Sequence, residues 1–421
     1  MPNIKEILVE LNPWWKETFI LDYKERGILP HIKKFLELRQ ILAFTGLRRI
    51  GKTTLMLKIV MDFIQSGFSP QKIVYFSFDE FKDIQIREVI KTVEIMMDLD
   101  FKDGKYLLLL DEIQKLAGWE DQVKSIYDSY GQSVKIIISG SESLFIRRKS
   151  KETLAGRIFE FKIEPLTFKE FLAFKDVQFE PIALHEKNLL RLFNEFMLSL
   201  GFPEMVNVRD KDVIKKYIKE SIVEKIIYRD MANLYHIKDI SLLESLLNIL
   251  MEDPGQIIEI SGLAKQMNIT RQTISNYLKY LEDSFLIRKL YNYSKGRRKV
   301  ERKLKKYYPL VISPNLLFMK DDHKKSKVFE WLMVGQLNAE FFWRDPYKNE
   351  VDVIKAEKKL IPIEIKYGRL EFRGLLAFMR RFKAAEGYVV SFDTEEKHEV
   401  NCKSIYVIPA YKFLLEQEKY L

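Results

Sequence analysis

Cysteine is almost missing from this chain: Cys402 is the only one in 421 residues. That excludes an internal disulfide framework and a zinc site built on several cysteines, and it points to a reducing compartment. Long apolar runs are missing too. The longest, such as "YLLLL" at 106–110, fall far short of the roughly 20 residues that cross a bilayer. The opening "MPNIKEILVELNPWW" holds acids and no extended apolar core, so it does not read as a secretory signal. A cytoplasmic protein with no membrane partner is expected. Nor is the composition that of a disordered chain, with 47% hydrophobic and 31% charged residues. The length allows two to four domains. Lys and Arg number 70 against 60 Asp and Glu, a net charge of +10, which suits a polyanion partner where the excess is concentrated.

The stretch "ILAFTGLRRIGKTTLMLKIV" reads as a buried strand, a glycine turn and an amphipathic helix. Gly46-x4-Gly51-Lys52-Thr53 is a full P-loop, in which backbone N–H groups surround a β-phosphate at the positive end of the following helix. Gly46, Arg49, Ile50, Gly51, Lys52, Thr53 and Thr54 form the expected cradle for ATP. Lys52 reaches the β- and γ-phosphates, and Thr53 binds Mg²⁺. The side chains of Arg48 and Arg49 turn instead to a neighbouring domain, subunit or nucleic acid. "GKYLLLLDEIQKL" is a second buried strand ending in Asp111-Glu112. There Asp111 holds the Mg²⁺ and Glu112 orients the attacking water. Further strands are expected in "KIVYFSFDE" and "VKIIISGSES", and either Ser139 or Ser141 reads the γ-phosphate. Strands alternating with helices imply a parallel sheet with its ligand at the strand carboxyl ends.

These segments resemble the AAA+ and related STAND ATPases. More closely, "RRIGKTTL", "LDEIQ", "SGS" and "GRIFEFKIEPLTFKEF" resemble an archaeal-type prokaryotic family with an AAA domain and a C-terminal domain of unknown function. The resemblance extends more loosely over nearly the whole chain. It implies that Arg157 neutralises charge developing on the γ-phosphate, within one chain or across a subunit boundary of a homo-oligomer.

From 166 to 238 a helical lid is expected. Residues 239–318 read as a winged helix-turn-helix. A short helix, Ser261 to Met267, is followed by one capped by Thr270 with Ile274, Tyr277, Leu278 and Leu281 buried. Its exposed Arg271, Gln272, Ser275, Asn276 and Lys279 are types that read bases and phosphates. The run "KGRRKVERKLKK", 295–306, holds eight basic residues and one acid. It reads as a phosphate-gripping wing, with Arg297, Arg298, Arg302 and Lys303 as its DNA contacts.

At 319–421, "NEVDVIKAEKKLIPIEIKYG" reads as a hairpin with charges set inside apolar strands. Glu364 and Lys366, two apart, share a strand face, and Asp352 meets them from the preceding strand. Val351, Val353, Ile363 and Ile365 pack on the other face. The order of elements resembles the PD-(D/E)xK nuclease core, with Glu330 matching the helix acid of archaeal Holliday-junction resolvases. Asp352 and Glu364 then hold a Mg²⁺ or Mn²⁺ ion, and Lys366 assists attack by water. The expected whole is an α/β chain: a P-loop ATPase core (1–165), lid, winged helix and restriction-endonuclease-like domain. It would bind DNA in an ATP-dependent manner and cut it with a metal. The alternative is a non-nucleolytic STAND-type switch that binds DNA or protein partners.

Overall fold

The computed structural model describes residues 3–140, 152–231, 235, 237, 239–302, 304–357 and 359–421. They divide into two compact units, one ending at Glu164 and one beginning at Pro165.

The first unit is built on β1 (Ile41–Thr45), β2 (Ile73–Ser77), β3 (Tyr106–Asp111), β4 (Val134–Gly140) and β5 (Ile158–Lys162). They form one sheet in the order β2-β3-β4-β1-β5, with every neighbouring pair parallel. Helices cover both faces of a parallel sheet, which is why β1 and β3 are buried at every position and read as unbroken apolar runs. After the N-terminal helix α1 (Ile4–Leu11), the crossovers are helices α2 (Lys52–Gln65), α3 (Ile86–Met97) and α4 (Trp119–Tyr130). Val89, Ile90 and Val93 of α3 and Val123 and Ile126 of α4 pack on Val74, Leu108 and Ile136. Because β4 is inserted between β1 and β3, the turns leaving β1 and β3 lie on either side of it at one end of the sheet.

The second unit opens with α5 (Phe168–Phe174), whose first turn is closed by a capping box between Thr167 and Glu170. Phe168 and Phe171 pack against Phe193 and Phe196 of α6 (Glu186–Ser199). After a helical stretch, Tyr217–Met231, come α7 (Ile240–Glu252), β6 (Gln256–Ile258), α8 (Ile260–Gln266), α9 (Arg271–Asp283), β7 (Ile287–Asn292) and β8 (Lys305–Pro309). Thr270 caps α9 through its hydroxyl, and Ile274, Tyr277, Leu278 and Leu281 are its buried stripe. Between β7 and β8 the basic run contributes a short helix, Arg297–Arg302.

The chain continues through α10 (Asp322–Gln336), β9 (Phe341–Arg344), β10 (Glu350–Ala356), β11 (Leu360–Lys366), α11 (Arg373–Phe382), β12 (Glu386–Ser391), β13 (Glu396–Val400), β14 (Lys403–Pro409) and α12 (Ala410–Leu415). Among the described residues, the strands of this unit join one mixed nine-stranded sheet, β13-β14-β12-β11-β10-β9-β7-β8-β6. The seam between β7 and β9 is a parallel pairing of Tyr291 with Phe341 and Asn292 with Phe342. Asn292 lengthens it: its amide donates to the Arg344 carbonyl at 3.0 Å and its oxygen accepts from the Arg344 N–H at 3.2 Å. The strict alternation expected of β10 fails at a bulge between Val351 and Ile354, where its pairing with β9 slips. Both of those residues therefore pack on Leu375, Phe378 and Met379 of α11. Among the described residues no helix is long and apolar enough to cross a membrane.

Candidate functional site

The turn after β1 needs backbone conformations that few residues adopt. Gly46, Arg49 and Gly51 have φ of 140°, 64° and 92°. A Cβ on Gly46 would lie 2.4 Å from the Ile163 carbonyl oxygen, so only glycine fits there. Lys52 opens α2 and is 5% exposed, and its ammonium donates to the Gly46 and Leu47 carbonyls at 3.1 and 2.8 Å. Those carbonyls hold the lysine over the loop it serves. The Thr53 hydroxyl donates to Asp111 Oδ2 at 2.6 Å, joining the end of the first motif to the end of the second.

Asp111 is tied on every side. The Tyr75 phenol donates to Oδ2 at 2.8 Å, the Ser139 hydroxyl donates to Oδ1, and the Glu112 N–H donates to Oδ1 at 3.0 Å. Burial and the adjoining Asp111 carboxylate push the Tyr75 phenol far up, so it stays a donor. Glu112 takes a left-handed backbone, φ 51°, and its carboxylate accepts from Gln114 at 2.6 Å. The paired Thr53 and Asp111 oxygens are the hard donor set that Mg²⁺ prefers.

Arg26 is a loop residue that sequence reasoning overlooks. Its guanidinium is buried and donates to the Ile50 carbonyl at 2.8 Å and the Glu164 carbonyl at 2.7 Å, so it fixes the P-loop from behind. Arg157, expected to act within one chain or across a subunit boundary, lies just before β5. Its carbonyl accepts from Ile41 N–H at the start of β1, whereas the P-loop leaves the other end of that strand. The intervening strand is about 16 Å long. The Arg157 side chain pairs with Asp128 at 3.4 Å and lies over the Tyr127 ring. In this arrangement its guanidinium faces Asp128 and Tyr127 at the end of β1 away from the P-loop. Ser141 lies outside the described residues.

On α9, Arg271, Gln272 and Lys279 are exposed and Ser275 and Asn276 half-buried, with Gln272 donating to Asn276 at 2.9 Å. Arg298 is exposed. Lys303 and the side chains of Arg297 and Arg302 lie outside the described residues.

The second unit brings its acids together around β10 and β11. Asp352 and Glu364 are each 7% exposed. Asp352 Oδ2 accepts from the Ile365 N–H at 2.8 Å, and Glu364 Oε1 pairs with Lys366 at 2.6 Å. Glu364 Oε2 is buried without a hydrogen-bond partner among the described residues. Burial raises both carboxyls above their usual range; Glu364 and Glu330 add to the effect at Asp352, while Lys366 opposes it at Glu364. Glu330 faces the same place from α10. Its Oε1 accepts from the Tyr308 phenol at 2.6 Å and from Lys306 at 3.3 Å.

Lys306 is the unexpected member. In sequence it ends the basic run and looks like one more solvated cation. Here it is 4% exposed, 2.5 Å from Glu350 Oε1 and 3.9 Å from Asp352 Oδ1. Alternation along β8 is the available signal, because Lys306 and Tyr308 share one face. Arg344 holds the other Glu350 oxygen at 3.1 Å. Among the described residues no group of three or more His, Cys, Asp and Glu side chains is arranged to hold a metal ion. Asp352 and Glu364 offer the oxygen donors that a hard divalent cation takes, and the Glu364 Oε2 is one that nothing else satisfies among the described residues.

Residues 38–172 match the AAA domain family, residues 190–310 a domain of unknown function (DUF8612) and residues 326–413 another (DUF4143). An uncharacterised protein of Methanocaldococcus jannaschii is 33% identical over 261 residues, covering 59% of this chain and 56% of its own length. A second from that organism is 27% identical, covering 95% of this chain and 89% of its own. One from Haemophilus influenzae is 28% identical over 63% of this chain and 66% of its own. Among solved structures, a DNA polymerase III gamma subunit-related protein of Thermotoga maritima covers 61% of this chain and 99% of its own, at TM-score 0.27 and 11% identity. A DNA replication initiation factor covers 65% of this chain and 92% of its own, at 0.30 and 18%. Both TM-scores are too low to establish a shared fold.

Proposed function

We propose that this chain, which carries an AAA domain, hydrolyses ATP and uses its nucleotide state to control engagement of DNA. The observation that carries the ATPase reading is the Thr53 hydroxyl on the Asp111 carboxylate, 2.6 Å apart at the mouth of a glycine-built loop. Lys52 would neutralise the β- and γ-phosphates. Thr53 and Asp111 would hold Mg²⁺, directly and through water, and Glu112 would orient the attacking water. Gly46, Arg49, Ile50, Gly51 and Thr54 would supply backbone donors, while Arg157 would act within its own chain or across a subunit boundary.

Residues 166–238 would be the lid and 239–318 a winged helix-turn-helix. The order α8, α9, β7, β8 supports the second of these. Arg271, Gln272, Ser275, Asn276 and Lys279 would face bases, and the basic run would face phosphates. Residues 319–421 would form a nuclease-like domain in which Asp352 and Glu364 hold a divalent cation that activates water. Lys366 would position that water and stabilise charge on the phosphoryl oxygens. The buried Glu364 oxygen that lacks a hydrogen-bond donor supports this part.

The second reading, a switch that cuts nothing, is favoured by Lys306 already standing among the acids. Incubation with linear, forked and four-way DNA, with and without ATP and Mn²⁺, separates the two. Cleavage that is lost in Asp352→Asn while ATP turnover persists supports the nuclease; DNA binding without cleavage on any substrate supports the switch. Failure of the wild type to hydrolyse ATP with DNA present would overturn both.

A further inference from the structure

The acid site of the second unit is completed by a residue from outside its own hairpin and helix. Lys306 comes from β8, beyond the β7–β9 seam, and its ammonium lies within 4 Å of three carboxylates, those of Glu330, Glu350 and Asp352. Tyr308, two residues on and therefore on the same face, donates to Glu330. Four buried or half-buried carboxylates gathered without a counter-charge repel one another strongly. Among the described residues, two lysines and one arginine answer them. Lys366 serves Glu364 and Arg344 serves one oxygen of Glu350, which leaves Lys306 at the centre of the other three.

We propose that Lys306 is the resident cation of this site, a fixed positive charge standing where a second divalent ion would otherwise gather. It assembles Glu330, Glu350 and Asp352 without metal and confines metal to the Asp352–Glu364 end. Paired-metal hydrolases place their ions about 3.5–4 Å apart. An ammonium held between Glu350 and Asp352 claims the room that a second ion would need. The positioning group is thus contributed by the strand in which the basic run ends, and the acid site is complete only with that strand in register. The metal half of the proposal rests on the nuclease-like reading above; the counter-charge half does not.

The test uses the full chain without nucleotide, in EDTA and then in Mn²⁺. Lys306→Met keeps an unbranched side chain of similar length and removes the charge. Its unfolding midpoint in EDTA is expected to fall several degrees below wild type, Lys306→Arg is expected to recover most of the loss, and Mn²⁺ to raise the Met variant more than wild type. Calorimetry is expected to find one carboxylate-dependent Mn²⁺ per wild-type chain, lost in Asp352→Asn, and tighter or additional binding in Lys306→Met. Should Lys306→Met not fold, the double variant Lys306→Met/Glu350→Gln is expected to fold, because one unanswered acid has gone. Equal EDTA midpoints for wild type and Lys306→Met overturn the proposal, as does a double variant that folds no better than the single. Equal Mn²⁺ shifts overturn the claim that Lys306 limits metal. No Mn²⁺ binding to any variant sinks the nuclease-like reading, while the EDTA series still decides the resident cation.

Discussion

At the scale of single residues, the two acids Asp111 and Glu112 are neighbours in sequence with different surroundings. Asp111 is buried and receives hydrogen bonds from Thr53, Tyr75, Ser139 and the Glu112 N–H. Glu112 has a left-handed backbone, and its carboxylate accepts from the amide of Gln114. Glu112→Gln is therefore expected to keep ATP binding and slow turnover by about 100-fold or more, the usual cost of losing a proton-handling group. Lys52→Ala should weaken binding as well. Nucleotide binding and phosphate release measured on the same preparations check both; wild-type turnover in Glu112→Gln would remove its role. Glu195 makes a pH prediction. Burial pushes its carboxyl up, but Lys175, Arg209 and Arg191 outweigh that and hold it below its usual range. A folded-state value below the unfolded one stabilises above the unfolded pKa, near 4.5, and the gain is lost as pH falls through the folded value. Glu195→Gln should thus be less stable than wild type at pH 7, with the two denaturation curves converging as pH falls through the folded value.

At the scale of elements, close approach and open space make opposite predictions for two glycines. A Cβ on Gly374, at the start of α11, would lie 1.9 Å from the Glu350 carbonyl oxygen of β10. Gly374→Ala must push the helix off the strand that carries Glu350 and Asp352, at a cost of about 1–3 kcal/mol. Gly335, in the last turn of α10, has nothing within 4 Å of its added Cβ. Gly335→Ala should stabilise by about 0.5–1 kcal/mol through lower unfolded-chain entropy. Urea denaturation of both variants checks the signs. For the basic run, Ala at Arg297, Arg298, Arg302 and Lys303 should weaken binding similarly across DNA sequences. The slope of log affinity against log salt should flatten by about 0.9 for each phosphate that is no longer neutralised. An unchanged slope would make the run a solvated one.

The elements also mark where sequence is readable. The P-loop is legible because phosphate chemistry demands glycines, a lysine and a hydroxyl within one short turn of chain, Gly46 to Thr53. The α9 stripe is legible because a helix repeats its burial every three to four residues. Arg26 is not, since its partners are carbonyls 24 and 138 residues away and carbonyls have no sequence signature. Lys306 is hidden for another reason. Composition makes it identical to its neighbours in the run, and only strand register turns it inward. Register also places Arg157 beside Asp128 and Tyr127, neighbours that its motif does not reveal.

At the scale of the whole molecule, the two units differ in how far their parts can stand alone. The first has a five-stranded sheet of its own. In the second, β6, β7 and β8 share a ladder with the strands of 319–421. Expression of 1–318 should bare the β7 edge and leave Lys306 without Glu330, Glu350 and Asp352. Sedimentation is expected to show aggregation for this fragment, at concentrations where the full chain stays dispersed. A monodisperse, stable 1–318 would show the seam to be dispensable.

The β7–β9 seam has a consequence for how such a protein changes over generations. Recombination can exchange a module cleanly when its ends meet the rest of the chain through a loop. Here an exchange near residue 318 would have to deliver a strand of matching register, an asparagine to bridge to Arg344 and a lysine for the acids, all in one event. Residues 239–318 and 319–421 are thus expected to pass between genomes as a single cassette, diverging in step across the seam.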